Sequence, residues 1–160
     1  MERICPICLA YMYLDINMIG WMRCPSCGYM KKELKSMITM KELLGDTKID
    51  DLTDELKKNA AELLMRVNKF RTEYGKPMYV TSGYRTPEHN IKIGGSKNSA
   101  HCKCQAVDFK DGDGELKKFI AADLDILVRC DLYMEDPNVT TTWIHLSSRS
   151  TVSGKRVFKP

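Results

Sequence analysis

The chain has 160 residues, of which 43% are hydrophobic and 29% are charged, a composition ordinary for one globular domain with a small appendage. No apolar run approaches the ~18 residues of a transmembrane helix, and no basic segment followed by an apolar core marks a secretory signal, so we expect cytoplasmic synthesis without a signal peptide. The net charge of +4 indicates a mild preference for anionic partners and is far below that of a basic tail.

Two CPxC motifs mark the N-terminal region. Cys5 and Cys8 form one pair and Cys24 and Cys27 the other, with 15 residues between them. Each CxxC turn directs two thiolates at one cation, and two such turns complete a tetrahedral site without an open position. An odd total of seven cysteines and the lack of an export signal favour metal binding over disulfides, while buried or redox-active cysteines are the alternative. We therefore predict a zinc ribbon over residues 1–35, folded around a structural zinc ion.

The sequence suggests a hairpin inside the ribbon but leaves several classes of partner open. Met12–Asp15 and Gly20–Arg23 are compatible with a small hairpin, and the charged segment Met30–Ser36 is expected to link the ribbon to the rest of the chain. Ribbons serve as nucleic-acid binders, protein-docking modules or structural clips. A docking partner, an anionic wall polymer and a nucleic acid therefore all stay open as partners.

The strongest helix pattern covers Leu52 to Tyr74. Asp51 or Thr53 is suited to cap its start, and Gly75 with Pro77 ends it. Apolar residues recur along this stretch every three or four positions, namely Leu52, Leu56, Ala60, Leu63, Leu64, Val67 and Phe70. We predict the main core helix here, with a packing role only.

The other patterns predict shorter elements. Helices are expected at Met37–Leu44 and Glu115–Ala122, and strands at Met78–Ser82, Gln105–Phe109, Ile126–Met134, Thr140–Ser147 and Arg156–Phe158. A long loop, Gly83–Asn98, separates the first two strands, and long ordered loops are often functional. We predict an α+β fold over residues 36–160, in which helices pack on one side of a small antiparallel sheet.

Two histidines and one aspartate come from separate segments of this predicted domain. His101 follows the long loop, Asp108 lies on the second strand and His145 lies on the returning strand. Two imidazoles and a carboxylate gathered around an open position are typical of a catalytic zinc site. For His101 and Asp108 alone, a surface pair is the alternative. His89, the remaining histidine, is assigned to the loop or surface.

Spaced motifs accompany these residues in a fixed order: Ser82-Gly83-Tyr84-Arg85-Thr86, Asn90, Gly94-Gly95, Ser99-Ala100-His101, Ala106-x-Asp108 and Trp143-Ile144-His145. They resemble the motifs of the D-Ala-D-Ala metallopeptidase family, and the resemblance covers roughly Thr39 to Pro160. These zinc carboxypeptidases and endopeptidases cut peptidoglycan cross-links and share a core with lysostaphin-type enzymes and the Hedgehog signalling domain. The resemblance implies a catalytic zinc ion on the two histidines and the aspartate.

The resemblance also implies residues that handle the substrate. Arg85 matches the family arginine that binds a substrate carboxylate or carbonyl, a task that suits a guanidinium fork, although it could instead pin the loop. The family commonly has an acid three residues before the last ligand, where this chain has Thr142. If the hairpin pairs as expected, Glu135 lies roughly across from Thr142, and we predict Glu135 rather than Asp136 as the general base. Alternatively, Glu135 only begins a turn and the site is not catalytic.

A second departure from the family is Cys104, which stands where the family usually has glycine. Cys102 and Cys104 flank His101 closely. We expect them to pack as small apolar groups. Modulation of the metal and alternative ligation remain open.

The resemblance implies a zinc-dependent peptidase that hydrolyses peptidoglycan stem or cross-link peptides beside a D-amino acid. A small chain of this type that carries a ribbon resembles a bacteriophage lysin, made in the cytoplasm and acting at the bacterial cell wall after release. One alternative is a non-catalytic, zinc-containing binding or structural module, such as a virion component. Another is nucleic-acid binding through the ribbon, which would be sensitive to salt.

Overall fold

The computed structural model describes residues 8, 13–14, 21–32 and 37–159. The chain divides into two compact units, Met1–Ser36 and Met37–Pro160. Among the described residues, no helix combines the length and the apolar character that crossing a membrane requires.

The first unit contains a three-stranded antiparallel sheet formed by β1 (Tyr13–Leu14), β2 (Trp21–Arg23) and β3 (Met30–Lys32). β1 and β2 pair as the expected hairpin, with Tyr13 opposite Arg23. The expectation that Met30 begins a linker is wrong, because β3 pairs along β2. The chain reverses in the turn between β2 and β3, where the Cys24 amide donates to the Tyr29 carbonyl at 2.8 Å. The charged segment therefore begins as an edge strand of the sheet.

Over its described residues, 37–159, the second unit contains five α-helices and a five-stranded sheet. The helices are α1 (Met40–Leu44), α2 (Asp54–Tyr74), α3 (Pro87–Lys92), α4 (Glu115–Ala122) and α5 (Asp125–Arg129), with short 3-10 helices at Ile49–Asp51 and Ala100–Lys103. The strands are β4 (Val80–Ser82), β5 (Ala106–Lys110), β6 (Tyr133–Glu135), β7 (Trp143–Ser147) and β8 (Val157–Phe158). Their order in the sheet is β4-β5-β7-β6-β8, and every pair is antiparallel except β6 with β8. The α+β class is confirmed, with one parallel edge that was not expected.

Helix α2 forms where its apolar stripe predicts it. The Thr53 hydroxyl accepts from the Leu56 amide at 3.3 Å and caps its start, while Gly75 ends it in the left-handed conformation at φ 73°. Its buried side chains join one hydrophobic core with Ile144 and Leu146 of β7. Side chains alternate across a strand, so His145 between these two residues faces the other side of the sheet.

The predicted strand Ile126–Met134 is wrong over its first half. Helix α5 occupies Asp125–Arg129, and the strand begins only at Tyr133. Ile126, Leu127 and Cys130 are all buried, at a spacing that suits a helix packed on the core as well as it suits an apolar strand. The long loop also contains a helix, α3, which the Thr86 hydroxyl caps.

Candidate metal centre

Three elements bring His101, Asp108 and His145 together. His101 lies in the 3-10 helix Ala100–Lys103, and Asp108 on β5 is directly opposite His145 on β7. Nε2 of His101 lies 3.3 Å from Nδ1 of His145 and 3.4 Å from Oδ1 of Asp108, while Nδ1 of His145 lies 2.8 Å from that same oxygen. Ligand atoms at ~2.0–2.1 Å from a tetrahedral zinc ion are ~3.3 Å apart, so two of the three separations match such a site and the third is a hydrogen-bond length. The donor set fits zinc; that these residues hold it stays a prediction.

The orientation of His101 is fixed by the backbone around Gly83. The His101 side chain is buried, and its Nδ1 lies 2.7 Å from the Gly83 carbonyl oxygen. Donation from Nδ1 to this carbonyl leaves the lone pair of Nε2 directed at the site, as in metal-binding histidines. A Cβ at Gly83 would lie 1.9 Å from the carbonyl oxygen of Leu43, so only glycine permits this approach.

Asp108 is held in its ionised form. Burial raises its pKa, but hydrogen bonds and charge interactions with His101 and His145 outweigh burial and hold the pKa well below its usual range. The other carboxylate oxygen, Oδ2, accepts from Nη2 of Arg85 at 2.8 Å. Asp108 therefore presents a negatively charged oxygen to a cation while its second oxygen is occupied.

Arg85 contacts a predicted ligand directly. Its Nη2 donates to Asp108 on β5, and its Nε donates to the Ser82 hydroxyl on β4 at 2.8 Å. The guanidinium is therefore held by one residue of each strand. The guanidinium also lines the cleft beside the three ligands. Its predicted role at the substrate stays a prediction, and the geometry adds a role in orienting Asp108.

The three residues line an open cleft of about 420 Å³, a volume within the range of ligand sites. Its lining residues are Arg85, Gly95, Ser96, Asn98, Ser99, Ala100, His101, Asp108, Glu135, Trp143, His145, Ser147, Arg149, Ser150, Thr151 and Phe158. The cleft opens on the sheet face opposite the core. A substrate can therefore reach the candidate metal position without displacing core side chains.

Glu135 lies in this cleft, as the general-base prediction requires. Tyr133 is opposite Ser147 and Met134 is opposite Leu146, and the same register brings Glu135 level with His145 rather than with Thr142. By the alternation of side chains it shares the cleft face with His145. Asp136 is not a lining residue, and its Oδ1 accepts from the amide of Asn138 at 3.0 Å. The geometry thus favours Glu135 over Asp136, and its role as base stays a prediction.

The cysteines beside His101 do not join the three ligands in the described part of the chain. Cys104 is fully buried in the hydrophobic core, and burial raises the pKa of its thiol to about 12, so the thiol stays protonated. It holds a left-handed backbone at φ 53°, a conformation in which glycine is unstrained. Cys102 is partly buried, and His89 is exposed on α3 outside the cleft.

The first unit gathers cysteine sulfurs by itself. The sulfur of Cys8 lies 3.3 Å from that of Cys24 and 3.6 Å from that of Cys27, and Cys5 lies outside the described residues. Burial raises the pKa of Cys24, but backbone hydrogen bonds at Cys27 and Ser26 and the Cys8 side chain lower it to about 6. These sulfurs could hold a metal ion as thiolates.

Sequence reasoning missed one wall of the cleft. Ser147 and Arg149 line it, together with Asn98 from the long loop. The alternation that places Trp143 and His145 on one face of β7 continues through these two positions, so the period of two was a signal for them. No local pattern marked Asn98, which depends on the path of the loop.

Comparison with known proteins bears on the same region. The family model described as Peptidase M15 matches residues 34–147, well over half of the chain and including every predicted ligand of the candidate centre. Comparison with curated protein sequences found no match. The chain therefore belongs to the peptidase M15 family.

Proposed function

We propose that this protein is a zinc-dependent peptidase that hydrolyses peptidoglycan stem or cross-link peptides beside a D-amino acid. The observation that carries the proposal is the convergence of His101, Asp108 and His145 in an open cleft, in a chain of a metallopeptidase family. Glu135 in the same cleft supplies the carboxylate that such a hydrolysis needs.

In this mechanism His101, Asp108 and His145 would hold the zinc ion, and the ion would supply Lewis acidity for the hydrolysis near neutral pH. Glu135 accepts the proton of the attacking water and delivers it to the amine of the departing peptide. Arg85 keeps Asp108 oriented through its 2.8 Å hydrogen bond to Oδ2. The Gly83 carbonyl keeps His101 in the tautomer whose Nε2 is free to bind.

We assign the N-terminal unit a docking role in a lysin that acts at the cell wall. Cys5, Cys8, Cys24 and Cys27 would hold a second, structural zinc ion, which the converging sulfurs and the lowered pKa of Cys24 support. The ribbon and the net charge of +4 would favour docking to anionic wall polymers. A bacteriophage origin fits a small enzyme of this kind, which acts at the wall after release.

The test compares variants on purified cell walls and on a synthetic stem pentapeptide. We expect hydrolysis by the wild type, loss in His145→Ala together with one zinc ion, and in Glu135→Gln a drop in kcat of about 10²- to 10⁴-fold with zinc retained. Asp136→Asn is the matched control, because Asp136 lies next in sequence but outside the cleft, and it should keep its activity. Equal activity of Glu135→Gln and wild type would overturn the assignment of the base.

A non-catalytic module is the second candidate, favoured by Thr142 where related enzymes commonly have an acid. It predicts that the wild type binds zinc at His101, Asp108 and His145 yet cleaves neither walls nor peptide. The same assay, with zinc counted by elemental analysis, therefore separates the two functions.

A further inference from the structure

We infer that Arg149 forms a carboxylate-binding subsite of the cleft, which selects peptides with a free carboxylate near the scissile bond. This inference rests on the proposed peptidase function and goes beyond it by naming the substrate group that the cleft recognises. It assigns to Arg149 the binding of a substrate carboxylate, which the sequence motifs predict for Arg85.

The charges of the cleft leave one cation unmatched. Four charged side chains other than histidines line it, namely Arg85, Asp108, Glu135 and Arg149. Arg85 is paired with Asp108 at 2.8 Å, whereas no carboxylate in the described part of the chain lies within ion-pair distance of Arg149. Arg149 is thus the cation of the cleft that is open to a substrate anion.

Arg149 is anchored at both ends. Its backbone amide donates to the Ser147 hydroxyl at 3.0 Å, and that hydroxyl donates to the Gln105 carbonyl at 2.8 Å. At the tip, Nη1 donates to the Asn98 carbonyl of the long loop at 2.7 Å. A guanidinium has five N–H donors, so this anchoring leaves most of the fork for a ligand. The side chain is therefore positioned before a substrate arrives, which lowers the entropy lost on binding.

The position of Arg149 sets the distance to the reaction. It follows His145 by four residues along and just beyond β7, so their Cα atoms are at most ~13 Å apart. That distance corresponds to no more than about four residues of an extended peptide. Along β7, Trp143 precedes His145 and Arg149 follows it, so an aromatic and a cationic side chain line the cleft on opposite sides of His145. Glu135 lies level with His145 between them.

A planar guanidinium binds a carboxylate through two parallel hydrogen bonds, which a lysine ammonium cannot reproduce. Two carboxylates of a stem peptide come within reach, the C-terminal carboxylate and the α-carboxylate of a γ-linked glutamate. The shared chemistry is a carboxylate within four residues of the cleaved bond. The experiment separates the two sources.

The probes are a synthetic stem pentapeptide as free acid, its C-terminal amide, and the free acid with isoglutamine in place of the γ-linked glutamate. Binding is measured by calorimetry on the zinc-loaded full chain carrying Glu135→Gln, and hydrolysis is measured without that change. We expect the free acid to bind about tenfold more tightly than one of the two amidated peptides, a modest factor because Arg149 is exposed to water. The peptide that loses affinity identifies which carboxylate is bound.

In Arg149→Gln the preference for the free acid should collapse to about one, and Arg149→Lys should restore only part of it. Lys97→Gln is the matched control, because it removes a nearby charge of the same sign from an exposed residue that does not line the cleft, and it should keep the preference. An equal preference in wild type and Arg149→Gln, or no preference in the wild type, overturns the inference. Hydrolysis without the preference refutes the subsite alone, preferential binding without hydrolysis refutes the peptidase alone, and the absence of both refutes the two together.

Discussion

At the scale of single residues, Arg85 shows how a contact changes the meaning of a motif. The family motif predicts that its guanidinium binds the substrate, whereas in the structure the guanidinium donates hydrogen bonds to Asp108 and Ser82. Groups that orient a metal ligand typically change metal affinity 10- to 100-fold when removed. The two roles therefore predict different measurements.

We expect Arg85→Gln to weaken zinc binding by about 10- to 100-fold, because Asp108 loses the partner that fixes its carboxylate. Competition with a chromogenic chelator measures this affinity directly. Arg156→Gln is the control, since it removes another arginine paired with an aspartate, Asp131 at 2.8 Å, outside the cleft. If zinc affinity is unchanged in Arg85→Gln while KM rises, the arginine acts on the substrate alone.

The residues that sequence could identify are those whose chemistry is rare. His101, Asp108 and His145 stood out because imidazoles are few in this chain and sit inside spaced motifs. Arg149 did not stand out, because arginine is common on surfaces and its role depends on the Asn98 carbonyl 51 residues away. Glu135 could be named from the hairpin, but its register opposite His145 required the turn geometry.

At the scale of elements, one side chain connects the sheet to helix α4. Asp111 is buried just after β5, where its Oδ1 accepts from the Leu116 amide at 2.9 Å and its Oδ2 from the Lys117 amide at 3.2 Å. Its own amide donates to the Thr142 carbonyl. It thus caps the helix and ties it to the strand that leads to His145.

We expect Asp111→Ala to lower the free energy of unfolding by about 1–3 kcal/mol, because two amides at the helix start lose their acceptor in a buried position. Urea denaturation followed by circular dichroism measures the change. Asp113→Ala in the same loop is the control, since Asp113 is exposed and its side chain accepts, within the described part of the chain, from the Glu115 amide alone at 3.2 Å, so its loss should cost less. Equal losses in the two variants would contradict the capping role.

The elements differ in how far the sequence determined them. Helix α2 carries its own apolar stripe over 21 residues and is flanked directly by both of its caps, Thr53 and Gly75, so its local pattern is sufficient to predict it. Helix α5 has only five residues and an apolar composition that fits a strand equally well. It ends at Arg129, and Asp131, two residues later, adopts a left-handed backbone at φ 50° without being glycine, so the chain turns there without a sequence signal.

At the scale of the whole molecule, the two units differ in what holds each of them together. The unit Met37–Pro160 has a hydrophobic core that includes α2 and the five-stranded sheet. In the unit Met1–Ser36 the described strands have only two or three residues each. A unit of that size has little core of its own, so a metal on its cysteines would supply its folding energy.

We therefore expect a chelator to act on the two units unequally. If the N-terminal cysteines hold a metal as proposed, amide hydrogen exchange over residues 21–32 should rise to nearly the rate of an unfolded chain, because the sheet there would lose that metal. Exchange in β5 and β7 should stay slow, since both strands lie inside the five-stranded sheet, paired on each side, and their apolar side chains belong to the hydrophobic core. Mass spectrometry of peptides from each unit measures both rates in one sample.

Two variants separate the metal sites in this experiment. Cys24→Ser should raise exchange over residues 21–32 without chelator, and Asp108→Asn should leave that segment protected while it removes zinc from the cleft. Protection of residues 21–32 in Cys24→Ser or under chelation would show that the N-terminal sheet folds without a metal. The cysteines would then be structural thiols, and docking of the unit to a wall polymer would depend on its charge and surface rather than on a metal.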